Sequence, residues 1–415
     1  MAEVTGAADL AAIVDGLLRS RERLLERNPA EIATALSTVV EGWLSPGSAW
    51  MAQAVDAACA ESGFSTPMVR AYLPTMIEPL RGAALADLVE RELGGWAGLE
   101  DFRTPRLTLH VLPSNLPGHA AIPTAVSLLS RSAVLLKPGR SDRAFAGLWV
   151  DSIRSADPEI GRCVASCYWR GGDRRVEDVV LERADLVVAS GGDRAIEDLR
   201  SRCPGSFVGH GHRVSLAVVC RDAERRAAAR SLAADVAAWD QLGCLSPQVC
   251  FVEGDTGAAR GFARAVADEL RALSRRLPPG WIGQGELLES RRFREAAEWK
   301  DFASTGRHLF AVSDVVTDGC VVVEDDLSFT PTPLHRCVRV VAVSDVGEVA
   351  GVVSQHGSTL EAAGVAISSA AFAAVRDRLN RAGVPHVVRL GAMQRPTLQW
   401  EPGGRSRLTG WTSES

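Results

Sequence analysis

From residue 107 onward, short apolar runs alternate with stretches of helical period, and this alternation limits what the chain can become. LTLHVLP (107–113), AVLLKP (133–138), CVASCYW (163–169) and DLVVAS (185–190) read as strands. Between them, residues 122–129, about 142–153 and 176–184 place apolar side chains at three- and four-residue spacing. A parallel strand needs a crossover, usually a helix, before its neighbour, so the pattern predicts a parallel α/β sheet of Rossmann type. Such strands are buried on both faces, which suits runs this rich in apolar residues. After VSLAVVC (214–220) and a long helix ending near Trp239, a second α/β unit follows. It runs through CLSPQVCFVEG (244–254), a helix over 258–276, strands at 320–325 and 338–345, a helix over 370–382 and a strand near Val387. The first hundred residues carry helical periodicity instead, over 10–25, 29–44 and 49–60, with Pro29 at a helix start. At 415 residues, two or three domains are expected, with a boundary near residue 237.

Composition narrows the class of function. A net charge of -5 with 46% hydrophobic and 23% charged residues is that of a globular protein, and it gives no reason to expect nucleic acid or an acidic membrane surface as partner. No apolar stretch reaches the ~18–20 residues of a membrane span. The N-terminus, with Glu3, Asp9 and Asp15, does not read as a signal peptide. Nine scattered cysteines, an odd number, suggest reduced thiols in a cytoplasm. Among 46 basic residues, Lys137 and Lys300 are the lysines, so a lysine retained in so arginine-committed a chain invites a chemical reason.

Cys244 sits in DQLGCLSPQ beside Gly243, where the backbone can approach a substrate closely. A nucleophilic cysteine needs exposure and a polarising neighbour, whereas spacing alone favours a small buried hydrophobe. Asn115, between two prolines in LPSNLPG, stands on a rigid loop where its amide can serve a developing oxyanion; an Asx turn is the plainer alternative. Lys137 ends a strand and is followed by Pro138, Gly139 and Arg140, at the carboxyl edge where parallel sheets bind ligands. Ser190, Gly191 and Gly192 lie between a strand and a helix, a loop suited to phosphate or nicotinamide, although neither a GxGxxG fingerprint nor a Walker sequence is present. His210 and His212 lack further ligands at metal spacing, so no metal is expected.

In this order and spacing, the motifs resemble those of the aldehyde dehydrogenase superfamily. Asn115 stands at that family's PxNxP loop, Lys137-Pro138 at its strand-end Lys-Pro, residues 190–192 at its cofactor loop, and Cys244 at its catalytic cysteine, with Phe251-Val252 in the strand behind. SNLPG, WRGGD, SGGD, GHRVS, DQLGCLSPQ and GAMQRPTLQW resemble the LuxC-type acyl-CoA reductases within it, over residues 107–411. The resemblance implies a helical N-terminal segment (1–100) packed on a Rossmann-type NADP domain (101–237), a catalytic cysteine domain (238–385), and a tail (386–415) that returns to the cofactor domain or an oligomer interface. It also implies a homo-oligomer.

Two departures are informative. Where hydrolytic members carry a glutamate, this chain has His210-Gly211-His212-Arg213, which suits an acyl-enzyme that must outlast attack by water. Where they carry the ribose-binding glutamate after Lys-Pro-Ser, Arg140 stands, favouring the 2′-phosphate of NADPH. The carboxylate that grips the nicotinamide ribose is left without a firm position, Glu324 being a candidate.

The activity implied is NADPH-dependent reduction of an acyl thioester to an aldehyde through a thioacyl intermediate on Cys244. Asn115 and the Cys244 amide would hold the oxyanion, and His210 would protonate the leaving group, unless it is a hinge residue bonded to backbone. The acyl donor is CoA or a carrier protein. Rival readings are oxidation of a free aldehyde and an inactive acyl-transfer scaffold.

Overall fold

A computed structural model of the chain describes residues 2–3, 6–304 and 306–411. The chain divides into two compact units, one of residues 1–62, 73–212 and 397–415, the other of residues 63–72 and 213–396.

The first unit is built on a parallel sheet. Its strands are β1 (Ala2–Glu3), β2 (Leu107–Val111), β3 (Ala133–Lys137), β4 (Val164–Tyr168), β5 (Leu186–Ser190) and β6 (Ser206–His210), in the order β1-β4-β3-β2-β5-β6. All neighbours pair parallel. The winding direction reverses between β2 and β5, which opens a crevice at their carboxyl ends. β2, β3 and β5 are buried over their first four residues, as the apolar starts of β3 and β5 predict, and in β2 the buried Thr108 and His110 side chains bond Ser132 and Ser127.

Helices Ala7–Leu25, Pro29–Leu44, Ala49–Ser62 and Ala84–Leu93 lie between β1 and β2 along the chain. Asn28 caps the second by accepting the Ala30 N–H at 2.9 Å, and Pro29 occupies its first turn, where a missing N–H costs nothing. Leu10, Val14 and Leu17 of the first helix join Leu109, Leu135 and Val187 of the sheet in one core. The Trp43 indole donates to Ser152 Oγ at 2.8 Å, so its buried N–H is satisfied.

The second unit holds β7 (Val214–Val219), β8 (Pro247–Glu253), β9 (Leu309–Ala311), β10 (Cys320–Glu324), β11 (Cys337–Val343), β12 (Leu360–Ala366) and β13 (His386–Arg389), in the order β13-β12-β7-β8-β11-β10-β9. Only β9 pairs antiparallel among these described strands. Two three-residue segments, Trp239 to Gln241 and Leu334 to Arg336, have positive φ at every residue, between 49° and 66°. Left-handed backbone is costly for residues with a Cβ and persists only where the surroundings enforce it.

The sequence reading places the change of domain near residue 237, whereas the units change over between His212 and Arg213. The reason is that β7 pairs parallel with both β8 and β12, committing Val214–Val219 to the second sheet. Residues 63–72, read as part of the N-terminal segment, also belong to the second unit, where Phe64 and Tyr72 pack 5.1 and 5.9 Å from the Trp239 ring. At the other end, β13 and the residues up to 396 stay with the second unit, and residues 397–415 join the first. There the buried carboxylate of Glu92 accepts the N–H groups of Arg407 and Leu408 at 3.1 and 2.8 Å.

Candidate active site

In the first unit, the loops after β2, β3, β4 and β5 carry the residues singled out from the sequence. The β2 and β3 loops are tied together: Ser114 Oγ accepts the Arg140 N–H at 2.8 Å, and Ser141 Oγ donates to Ser114 O. A Cβ at Gly139 would overlap Ser114 Oγ and fall 2.5 Å from Pro113 O, so glycine is required for this approach. Asp142, buried, accepts the Gly118 N–H at 3.0 Å, and burial holds its carboxyl well above the usual carboxylate range. Within the loop, His119 Nε2 lies 3.2 Å from Asn115 Oδ1. Burial lowers the His119 pKa to about 4, so the ring is neutral at pH 7, and a proton on Nε2 would engage the oxygen of the Asn115 amide. The sequence reading had no signal for His119 or Asp142 in this role.

Lys137 closes β3 half-buried, its Nζ 6.0 Å over the Trp169 ring. Burial lowers its pKa, and the nearby Glu177 carboxylate opposes that shift. Glu177 also accepts the Gly172 N–H at 3.0 Å and pairs with Arg202 at 2.6 Å, fixing the WRGGD loop beside the lysine. Arg140 is exposed. Gly191 and Gly192 open onto space, since a Cβ at either would meet nothing within 4 Å. They precede helix Asp193–Arg202, whose N-cap Gly192 offers no capping side chain. Its first N–H groups therefore suit an anion. His210 ends β6, and its carbonyl accepts the Gly191 N–H at 3.2 Å. Asp193 accepts the His212 N–H at 3.1 Å and would overlap a Cβ at Gly211. Bare backbone at a helix start, a strand-end lysine and an exposed arginine on the β3 loop form a donor set that fits a dinucleotide at the switch point of this sheet.

Cys244, in the second unit, is exposed; of the chain's other cysteines, Cys59 and Cys203 are intermediate and the remaining six are buried. It lies in a turn closed by Ser246 N–H to Gly243 O at 3.0 Å. Its own carbonyl accepts from Ser215 Oγ at 2.6 Å, and that oxygen accepts the Ala362 N–H at 3.1 Å. The strand register is irregular beside this anchor, between Ser215 and Leu216 on β7 and between Leu360 and Ala363 on β12. Such irregularities re-aim side chains next to functional sites. Here one carries Glu361, which is buried and paired with Arg213 at 3.4 Å.

Although solvent reaches Cys244, the protein crowded around it pushes its thiol up to about 12. The Glu361 charge adds to that shift, while the Cys244 and Leu245 amides and Arg213 oppose it. Glu361 was not singled out from the sequence, because a carboxylate in an apolar strand carries no local motif.

Glu324, at the end of β10, is buried, with Oε2 on Lys300 and Oε1 on Arg339. Both carboxylate oxygens thus have a cation, and the second lysine of the chain has a structural partner. Among the described residues, no group of three or more His, Cys, Asp or Glu side chains could hold a metal ion.

The fold is that of the aldehyde dehydrogenases. A NAD-dependent benzaldehyde dehydrogenase from Corynebacterium glutamicum matches with a TM-score of 0.71 at 13% identity, covering 94% of this chain and 88% of that one. Aldehyde dehydrogenase C from Pseudomonas syringae, complexed with NAD+ and octanal, matches at 0.72 and 14%, covering 92% and 81%. Within that fold, the acyl-CoA reductase (LuxC) family model matches residues 29–408, and the chain belongs to this family. The long-chain acyl-protein thioester reductases of Aliivibrio fischeri and Photobacterium leiognathi are each 26% identical over 330 and 329 residues, 74% of this chain. The match spans 65% of the length of each of these relatives.

Proposed function

We propose that this protein reduces an acyl thioester to an aldehyde, using NADPH in preference to NADH, through an acyl group carried on Cys244. The observation that carries the reading is an exposed thiol on a turn whose carbonyl is anchored by Ser215, within a chain of the LuxC family.

In this reading, Cys244 Sγ forms the new thioester bond as the bond from the carbonyl carbon to the donor's sulfur breaks. The proton lost by the Cys244 thiol replaces the one the departing thiol needs, and His210 is assigned to deliver it. Asn115 and the Cys244 N–H supply the donors for the oxyanion. Lys137, Arg140 and the backbone of Ser190, Gly191 and Gly192 would hold the dinucleotide, and exposed Arg140 would meet the 2′-phosphate. A bound reduced nicotinamide would supply the hydride that brings the acyl carbon to the aldehyde level.

Two donors fit this chemistry, an acyl-CoA and an acylated protein. The names of the curated relatives favour the second. The test is anaerobic incubation with NADPH and matched acyl-CoA and acyl-protein thioesters, following NADPH absorbance, aldehyde formation and acyl labelling. Cys244→Ala should lose both turnover and label. Turnover that survives in this variant would dismiss the covalent mechanism, and nucleotide binding without acylation of the wild type would favour the scaffold reading.

A further inference from the structure

Helix Gln284–Ala303 of the second unit has one face fixed to its unit and the opposite face in solvent. On the inner side, Ser290 and Ala297 are buried, and Phe293 packs against the cluster of Leu309, Val322 and Cys337. Arg294 donates to Ser313 O at 3.0 Å, and Asp301 accepts the N–H groups of His308 and Leu309. With Lys300 paired to Glu324, the helix is held along its length.

The outer face repeats at three- and four-residue spacing: Gly285, Leu288, Arg292, Glu295, Trp299 and Phe302. At 100° per residue these positions lie opposite the buried ones. Leu288, Trp299 and Phe302 are 48%, 71% and 86% exposed, and the two rings meet edge to face with centroids 6.2 Å apart. The spacing is that of a coiled-coil seam, turned away from its own unit.

We infer that this face joins two copies of the chain as an antiparallel helix pair about a two-fold axis. The occupant follows from the order of residues along the seam. In the register that sets Arg292 against the partner's Glu295, Leu288 meets the partner's Trp299, and Gly285 meets the partner's Phe302. A Cβ at Gly285 would find nothing within 4 Å, so there is room for a ring there. On the flank, Arg291 meets the partner's Glu298. Each of these pairs occurs twice, because a two-fold contact is self-complementary. A parallel pair would instead set arginine on arginine and glutamate on glutamate.

Within the isolated chain, Arg292 pairs with Glu289 at 3.0 Å, both side chains exposed, while exposed Glu298 pairs with the partly buried Arg294 at 3.2 Å, and Arg294 keeps its bond to Ser313 O if Glu298 turns to the seam. Such pairs contribute little, so exchanging them across a seam costs little. Aromatic side chains bury ~150–250 Å² each, so two copies of this stripe cover on the order of 1,000 Å², the lower limit of a specific interface. The inference does not rest on the catalytic reading.

The test is sedimentation velocity of the full-length chain at low micromolar concentration. Wild type should sediment at twice the 44.2 kDa chain mass, or at a higher even multiple. Trp299→Ser with Phe302→Ser should halve that mass. Arg292→Glu should raise the dissociation constant at least about tenfold by setting like charges together, and Arg292→Glu with Glu295→Arg should restore it. Far-UV circular dichroism checks that each variant is folded, and if the double serine variant is not, the charge pair decides. A monomeric wild type, an unchanged mass in the serine variant, or a charge swap that restores nothing would overturn the inference.

Discussion

Arg336 Nη2 lies 2.7 Å from Asp240 Oδ1, and this ion pair is buried. It joins the two left-handed segments of the second unit, which contain one partner each. The remaining polar atoms are also used: Arg336 donates to Ser274 Oγ and Leu277 O, and Asp240 Oδ2 accepts the Gly280 N–H at 2.9 Å. Beside it, buried Gln241 donates to Pro247 O and Cys337 O, both at 2.8 Å. The strained backbone that leads into Gly243 and Cys244 is therefore held from the side.

Arg336→Met should cost about 3–5 kcal/mol of stability, because it leaves the Asp240 carboxylate buried without its cation. Asp240→Leu with Arg336→Met should cost less than that single change. Urea denaturation of the three proteins checks this. A double variant weaker than the single would show that the charges themselves hold the two turns together.

The Cys244 environment predicts how its reactivity depends on pH. With the thiol pushed up to about 12, the thiolate fraction, and hence the alkylation rate with iodoacetamide, should rise about tenfold per pH unit from 7 to 9 without levelling. Glu361→Gln removes a charge that disfavours the thiolate and leaves Arg213 unopposed, so alkylation at pH 7.5 should speed up. Subtracting the rate of Cys244→Ser isolates the site from Cys59 and Cys203. A plateau below pH 8, or a slower Glu361→Gln, would contradict the assignment of causes.

The contrast between Cys244 and Glu361 shows what could be read beforehand. The α/β alternation was legible because parallel strands buried on both faces are dominated by apolar residues, as in Leu107–Val111, Ala133–Lys137 and Leu186–Ser190. Motifs on loops were legible because Gly, Pro and Asn restrict the backbone locally. Glu361 and Asp235 were not, since their meaning depends on neighbours far along the chain. The boundary at His212 escaped for a similar reason, because a strand's sequence does not say which sheet it will join. Helix Gln284–Ala303 was missed because its inner face is narrow, with only Ser290 and Ala297 buried, and its outer face carries Leu288, Trp299 and Phe302.

Arg140 predicts a split between the two reduced dinucleotides. Arg140→Glu should weaken NADPH binding by about 10- to 100-fold, the loss of a charge-assisted contact with added repulsion, and leave NADH binding within about threefold. Quenching of tryptophan fluorescence in Cys244→Ala measures both affinities without turnover. Equal weakening of the two nucleotides would place Arg140 away from the 2′-phosphate.

The last prediction concerns the GAMQRP segment, which is anchored by a buried carboxylate. Asp235 accepts the Gly391 N–H at 2.6 Å, and hydrogen bonds from the Met393 and Gln394 amides also favour its charged form. Burial outweighs them and raises its pKa to about 7. Gln394 reaches on to Ser246 Oγ at 3.3 Å, so this anchor is linked to the turn that bears Cys244.

A carboxyl whose pKa is higher folded than unfolded holds its proton more tightly in the native state. Between pH 4 and 7 the folded chain keeps that proton after the unfolded chain has lost it, so Asp235 makes stability fall as pH rises across this window, by about 4 kcal/mol in all. Above pH 7 its contribution is level. Asp235→Asn stays neutral, so its stability relative to wild type should climb from pH 4 to 7 and then stay constant. Paired urea titrations at pH 4.5, 5.5, 6.5 and 7.5 measure the difference. A difference that is flat over this range, or that slopes the other way, would mean that the three backbone amides outweigh burial and that the carboxylate is charged throughout.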